Sequence, residues 1–215
     1  MTGLLLVGAT GLAREATAVA VMVRHPGPVQ VVDDDAARWG TLHGLAPVLG
    51  AVETAIELDH DVVLTLGKGR VRRRTAARLE MLGLDAGRYA SLVHPRVVLP
   101  GSCWLGTGCV ALDGVVLTAD VEVGDHVVLM SHVSLTVGCV VESFATLGAG
   151  VALGAGVHVG SGAEIGMNAS VREGVRIGRD ATVGMGSVVL EDVPAGETWA
   201  GVPARRLRTR VTSFG

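Results

Sequence analysis

The sequence predicts a chain of two parts, a small α/β domain followed by a parallel β-helix. An aliphatic residue or a single alanine occupies every sixth position from Val93 to Val189, seventeen positions without a failure. Upstream of this repeat, short apolar runs alternate with glycine turns and helical stretches. A period of six fits neither an amphipathic helix nor a strand of strict period two, and is typical of a solenoid of short stacked strands. We therefore predict domains at 1–92 and 93–215.

Composition excludes several classes of function. The formal charge of −3 and the lack of a basic run interleaved with aromatic residues argue against nucleic-acid binding. Cys103, Cys109 and Cys139 all fall at a small inward position of the repeat. We interpret them as buried apolar residues rather than as a disulfide, a metal site or a nucleophile.

The first 23 residues are apolar but carry Arg14 and Glu15, and no charged segment precedes them. This pattern argues against a signal peptide or a membrane-spanning helix. We therefore expect a cytoplasmic protein.

The first element predicted is a buried strand at 4–7, leading through Gly8-Ala9-Thr10-Gly11 into a helix at 12–23. A strand, a glycine turn and a helix N-terminus together offer backbone N–H groups and a helix dipole to a phosphate. A tight turn without a ligand would have the same sequence.

A second strand is predicted at 29–32, and Asp33, Asp34 and Asp35 follow it. Acidic residues at this point contact a ribose or base in nucleotide-binding folds, and they also cap a following turn, here at 36–39. The sequence leaves both roles open.

A third strand at 62–66 ends in Gly67-Lys68-Gly69, and a helix at 70–82 carries four arginines in its first turns. Such a run is a solvated face, unless one arginine, for which we choose Arg72, turns toward the glycine loop to hold a phosphate. The last strand is predicted at 90–93, and His94-Pro95 opens the solenoid.

Within the solenoid, a smaller inward residue follows most aliphatics by four positions, and glycine often follows the aliphatic directly, as in Leu147-Gly148. We expect these glycines at corners that need permissive backbone angles.

The motifs and their order resemble the hexapeptide-repeat sugar O- and N-acyltransferases of the sialic acid and bacillosamine type. The residues that carry the resemblance are the glycine turn, Asp33 to Asp35, the arginine helix, His94-Pro95, the repeats, and Trp199-Ala200-Gly201-Val202-Pro203-Ala204-Arg205-Arg206. The resemblance implies a Rossmann-like N-terminal domain that binds a nucleotide-sugar, and a left-handed, three-sided β-helix that binds acetyl-CoA.

The resemblance also implies two groups of site residues. The candidates for the acceptor are Gly8, Thr10, Gly11, Asp33, Asp34, Asp35, Gly67 and Arg72. The candidates for coenzyme A are Thr146, Gly148, Ala155, Met167, Met185, Arg205 and Arg206. For the last two, a basic tail that caps the final coil is the alternative.

The chain departs from the family where its chemistry is expected. The histidine and acid pair of the family falls on Val137-Gly138, and a second histidine, which helps hold the acetyl group, falls on Thr146. Among the remaining histidines we choose His132 as the catalytic base and His126 as second choice, against the alternative of solvated or capping residues. His126 and His132 lie on different sides, so we expect no metal site.

We therefore predict an enzyme that moves an acyl group, most simply acetyl, from coenzyme A to a nucleotide-linked sugar or a related small metabolite. An amine acceptor arrives partly neutral and tolerates the missing histidine better than a hydroxyl, so we favour nitrogen over oxygen. The alternative is a non-catalytic binding or scaffold protein that kept the fold. Outward apolar residues on flat solenoid sides favour self-association, and the family implies a homotrimer.

Overall fold

The computed structural model describes residues 2–207. Met1 and residues 208–215, the last part of the second predicted domain, lie outside the described residues. The N-terminal part contains five strands and three helices: β1 Gly3–Val7, α1 Gly11–Met22, β2 Val29–Val32, β3 Leu42–His43, β4 Ala46–Pro47, α2 Thr54–Glu57, β5 His60–Leu64 and α3 Gly69–Met81. Short 3₁₀ turns occupy Ala36–Arg38 and Ala86–Arg88.

The strands β2, β1 and β5 form a parallel sheet in that order, with β1 central. Leu5, Leu6 and Val7 of β1 have no solvent exposure because both faces of the sheet are covered. Leu4 and Leu6 pack in one cluster with α1, whereas Leu5 and Val7 pack in another with α3. This is the arrangement that a continuous apolar run predicts for a parallel strand.

The remaining chain is a parallel β-helix with three faces. The domain face, which the N-terminal part covers, contains β6 Leu92–Val93, β8 Val110–Ala111, β11 Val128–Leu129, β14 Thr146–Leu147, β17 Glu164–Ile165, β20 Thr182–Val183 and β22 Thr198–Gly201. The polar face contains β7 Trp104–Leu105, β10 Glu122–Val123, β13 Val140–Val141, β16 His158–Val159 and β19 Arg176–Ile177. The small-residue face contains β9 Val116–Leu117, β12 Ser134–Leu135, β15 Ala152–Leu153, β18 Ser170–Val171 and β21 Val188–Val189. A final strand, β23 Ala204–Arg206, pairs antiparallel with β22.

One coil takes eighteen residues, because Val128 pairs with Val110 below it and with Thr146 above it. The second residue of each strand points inward, and the aliphatics at these positions form one continuous core with the small residues four positions later. The six-residue period of the sequence is therefore one side of the prism.

Glycine occurs at two positions around the corners, for two different physical reasons. A backbone with positive φ recurs at every sixth residue from Gly108 to Gly186, three residues after each inward aliphatic, and it includes His126, His132 and Phe144. We expected the glycines directly after the aliphatic residue to need permissive backbone angles, and that reason was wrong. A Cβ on Gly148 would lie 2.7 Å from the backbone N of Met167, so these glycines permit close stacking of coils rather than unusual angles.

The N-terminal part docks on the domain face through a shared apolar cluster. Val110, Leu112 and Val128 of the solenoid pack with Leu4 and Leu6 of β1 and with α1. The glycine turn after β1 therefore lies over the solenoid wall. Among residues 2–207, no helix combines the length and apolar character needed to cross a membrane.

Candidate functional site

A cavity of about 480 Å³ lies between the glycine turn and the domain face. Its lining from the N-terminal part is Thr10, Gly11, Leu12, Glu15 and Gly67, and its lining from the solenoid is Val128, Met130, Thr146, Gly148, Ala149 and Met167. Thr10, Gly11 and Gly67 were predicted to contact the acceptor, and Thr146, Gly148 and Met167 to contact coenzyme A. Residues of both predicted groups thus line one cavity.

The glycine turn leaves the first amides of α1 uncapped. Gly8 has a φ of 101°, and Thr10 stands at the N-cap without a side-chain hydrogen bond to the helix. The Thr10 hydroxyl instead donates to the Thr65 carbonyl at 2.6 Å, which ties the ends of β1 and β5 together. The first N–H groups of α1 and the positive end of the helix dipole therefore lie at the edge of the cavity, which Gly11 and Leu12 line.

The three aspartates after β2 serve the fold and do not line this cavity. Asp33 accepts hydrogen bonds from the backbone N–H groups of Ala9 and Asp35 and so braces the glycine turn. Asp34 pairs with Arg78, whose hydrogen bond lowers the pKa of the carboxyl. Asp35 caps the Ala36–Arg38 turn, which is the alternative that the sequence left open.

Arg72 occupies a different place from the one that the sequence predicted. It is completely buried between α3 and the solenoid. Its guanidinium donates to the carbonyls of Leu66, Gly67, His126, Phe144 and Ala145 and to the Thr146 hydroxyl, at 2.8 to 3.0 Å. No donor is left for a phosphate, so Arg72 fastens the two parts of the chain rather than contacting a ligand. Burial lowers its pKa to about 10, and it stays charged at neutral pH.

Thr146 lies at the same junction. Its hydroxyl donates to the Gly67 carbonyl at 3.0 Å and accepts from Arg72 at 2.9 Å. The side chains of Arg72 and Thr146 thus both donate to the Gly67 carbonyl, and these bonds fix the solenoid wall of the cavity to the N-terminal part.

His126 is buried between two aromatic rings and does not line the cavity. The Tyr89 ring meets its ring edge-on at 4.5 Å, and the Phe144 ring stacks on it at 4.9 Å. Burial lowers the pKa of His126 to about 4. This environment is that of a neutral core imidazole.

His132 and His158 lie on the solenoid surface. His132 is exposed at the corner between the domain face and the small-residue face, outside the residues that line the cavity. Its ring packs over Gly114, since a Cβ there would meet the Nδ1 atom at 2.5 Å. His158 lies on the polar face, where its Nε2 is 2.9 Å from a Glu142 oxygen.

The other coenzyme A candidates are exposed at corners or at the end of the solenoid. Met167 and Met185 stand at the corner between the domain face and the small-residue face, with exposures of 50% and 74%. Ala155 is exposed at the opposite edge of the small-residue face. Arg205 pairs with Glu191 at 3.4 Å and Arg206 with Glu197 at 3.2 Å.

Glu15 is a cavity residue that sequence reasoning missed. We treated it only as a charge within an apolar stretch. It lies four residues after Gly11 in α1, and residues at this spacing share one face of a helix. That spacing from the glycine turn was the available signal.

Metal and cysteine chemistry find no support in the described part of the chain. No group of three or more histidine, cysteine, aspartate or glutamate side chains with the geometry of a metal site is present between residues 2 and 207. The three cysteines are free, and burial raises the pKa of the Cys109 thiol to about 12.

Residues 156–191 match the family described as bacterial transferase hexapeptide (six repeats). No curated protein matches the chain. Among solved structures, a mutant perosamine N-acetyltransferase from Caulobacter crescentus in complex with CoA and GDP-perosamine has a TM-score of 0.87 and 28% identity, covering 97% of this chain and 98% of that chain. The acetyltransferase domain of PglB from Neisseria gonorrhoeae in complex with acetyl coenzyme A has a TM-score of 0.87 and 26% identity, covering 95% and 98%. WeeI from Acinetobacter baumannii has a TM-score of 0.85 and 26% identity, covering 96% and 100%.

Proposed function

Because this chain is a hexapeptide-repeat acyltransferase of the sugar-modifying type, we propose that it moves an acetyl group from coenzyme A to an amine of a nucleotide-linked sugar. The observation that carries the proposal is the cavity in which Thr10, Gly11 and Gly67 meet Thr146 and Gly148. Two similar structures support it. They contain CoA or acetyl coenzyme A, and the similarity covers nearly the whole of this chain. The scaffold alternative is not favoured.

The acceptor's phosphates would bind at the glycine turn. The uncapped N-terminus of α1 offers backbone N–H groups beside Gly11, and anions bind readily to such helix ends. Gly8 and Thr10 shape the turn, and Asp33 holds it through Ala9. We propose that Asp34 and Asp35, in addition to their bonds to Arg78 and to the Ala36–Arg38 turn, contact the nucleoside beyond the glycine turn, with the sugar amine entering the cavity.

Coenzyme A would lie along the solenoid edge that carries Gly148, Met167 and Met185. Apolar side chains and tightly stacked glycine corners suit the pantetheine chain, and Arg205 and Arg206 would meet the phosphates at the end of the solenoid. Ala155 lies across the small-residue face from Met167, so one cofactor contacts both only where two solenoids abut. This supports a site between neighbouring copies.

A homotrimer would supply those copies. The outward residues of the small-residue face are uncharged and small: Val98, Val116, Ser134, Ala152, Ser170 and Val188. The outward residues of the polar face include Glu122, His158 and Arg176. Val110 and Val128 also point outward from the solenoid, but they are buried under the N-terminal part and are not available for contact between copies. The small-residue face is therefore the surface that we propose for trimer contact.

Were a histidine the proton acceptor, it would be His132, since His126 is enclosed by Tyr89 and Phe144. In a trimer, the corner that bears His132 adjoins the proposed interface. Replacement of His126, His132 and His158 one at a time by asparagine tests this assignment, and a loss of about a hundredfold in one variant alone identifies the base.

The proposed function is tested by incubating the protein with acetyl-CoA and a panel of nucleotide-linked amino sugars. We expect release of the free thiol together with a product that carries one added acetyl group by mass spectrometry. The matched acceptors with a hydroxyl in place of the amine should react much more slowly, because a hydroxyl has a far higher pKa. Binding of acetyl-CoA without transfer to any acceptor would contradict the proposal.

A further inference from the structure

We infer that Glu15, rather than a histidine, takes the proton from the acceptor amine. The inference rests on the proposed function and deepens it, because it assigns a group to the step for which the chain lacks the histidine of its family.

Glu15 stands where the two reactants would meet. It lines the 480 Å³ cavity together with Gly11 of the proposed phosphate site and with Thr146 and Gly148 of the proposed coenzyme A site. It also lines a second cavity of about 200 Å³, so Glu15 is a lining residue of both spaces. A sugar held by the helix N-terminus would extend past this carboxylate toward the solenoid wall.

The other polar side chains of the larger cavity are already engaged. The Thr10 hydroxyl donates to the Thr65 carbonyl, and the Thr146 hydroxyl donates to the Gly67 carbonyl. The remaining lining side chains are aliphatic, methionine or glycine. Glu15 is therefore the one ionisable side chain among the residues that line this cavity, and it is the one group there that can accept a proton.

The environment of Glu15 lacks a compensating cation. Glu15 is exposed, yet partial burial raises the pKa of its carboxyl, and no hydrogen bond or ion pair offsets that effect within residues 2–207. Across the smaller cavity stand His94 and Asp113, and Asp113 already pairs with Arg96 at 3.1 Å. His43 bonds to the Thr10 carbonyl at 2.7 Å, and Arg14 is exposed beside Glu15 on α1. A substrate ammonium would supply the missing positive charge.

The chemistry balances with this assignment. The acceptor enters as an ammonium, and the Glu15 carboxylate takes one proton and passes it to water. The neutral nitrogen attacks the thioester carbonyl carbon, the C–S bond breaks, and coenzyme A leaves as the thiolate. Glu15 takes the second nitrogen-bound proton and returns it to the thiolate sulfur. The products are the amide, free coenzyme A and one proton released to solvent.

Glu15→Gln tests the inference because it keeps the size of the side chain and removes its basicity. We expect kcat for the amino sugar to fall by about a hundredfold or more, with KM for acetyl-CoA unchanged. The residual rate should rise with pH until the amine itself is deprotonated, whereas the parent enzyme should reach its plateau at lower pH. Glu15→Asp should retain part of the activity.

Glu57→Gln is the matched control, because Glu57 is exposed at the end of α2 and lines neither cavity. A folded Glu15→Gln variant with the parent kcat and pH profile would overturn the inference and leave the proposed function standing. Failure of the parent protein to acetylate any amine would overturn both.

Discussion

The hydroxyl of Thr146 donates a hydrogen bond to the carbonyl of Gly67 at 3.0 Å, and thereby joins the solenoid to the loop after β5. The two residues are 79 positions apart in the chain. Arg72 donates to both of them, so three residues form one connection across the cavity. The dimensions of the cavity depend on this connection.

Thr146→Val should destabilise the protein and widen the cavity. The substitution keeps the shape of the side chain but leaves an Arg72 N–H group and the Gly67 carbonyl each with one partner fewer. We expect a loss of about 1 to 3 kcal/mol in the free energy of unfolding, measured by urea denaturation, with a raised KM for the acceptor.

Thr182→Val is the control for this change, because Thr182 occupies the same strand position two coils further along and contacts neither Gly67 nor Arg72. Equal effects of the two substitutions would show that the contact with Gly67 is not the cause.

Stability should depend on pH through His126. Its pKa is about 4 in the folded protein and about 6.5 when unfolded, so the unfolded state binds one more proton between these values. The free energy of unfolding should therefore be constant above pH 6.5 and fall as the pH decreases toward 4. Urea midpoints at several pH values measure this.

His126→Asn should flatten that pH dependence while lowering stability overall, because asparagine accepts the positive φ of 55° at this corner but does not fill the space between Tyr89 and Phe144. His132→Asn, a change at an exposed corner, should leave the pH dependence intact. An unchanged slope in the His126 variant would refute the assignment.

Ala152→Glu should dissociate the proposed trimer. The carboxylate would be introduced at the centre of the small-residue face in every copy, where burial without a partner is costly. Light scattering should report three times the chain mass of 22.0 kDa for the parent protein and a single chain for the variant.

Val140→Glu is the corresponding change on the polar face and should leave the trimer whole. If Val140→Glu dissociated the trimer and Ala152→Glu did not, the polar face would be the trimer interface instead.

Replacement of Arg205 and Arg206 together by alanine should weaken the binding of coenzyme A by about 1 to 3 kcal/mol, the usual range for lost hydrogen bonds to charged groups. Isothermal titration calorimetry measures the change. Replacement of Arg176 and Arg179 by alanine removes the same charge from exposed positions near the same end and should have a much smaller effect. Equal losses would point to general electrostatics rather than to direct contact.

Much of the secondary structure of the N-terminal part was predictable, because it depends on residues close together in the sequence. The strand at 29–32 was predicted with its observed limits, and the helices at 12–23 and 70–82 were each displaced by one residue from the observed α1 and α3. Apolar runs, glycine turns and helical periodicity are properties of neighbouring residues, and a sequence displays them directly.

The roles of individual polar side chains were less predictable. Asp33, Asp34 and Arg72 are acidic and basic residues of the types that suit a phosphate or ribose site. In the structure, Asp33 braces the glycine turn and Asp34 pairs with Arg78. Arg72 fastens the N-terminal part to the solenoid. Each role depends on a partner distant in the chain, such as Phe144 for Arg72. A pattern of residue types does not contain that information.

The sequence by itself determined the solenoid, because the strands from β6 to β21 pair with one another at a fixed distance of eighteen residues and the period places their inward side chains. Only the tertiary structure decided where the candidate site lies. The docking of α1 on the domain face brings Glu15 beside Thr146 and Gly148, and it depends on the apolar contact of Leu4 and Leu6 with Val110 and Val128, between segments that no repeat connects.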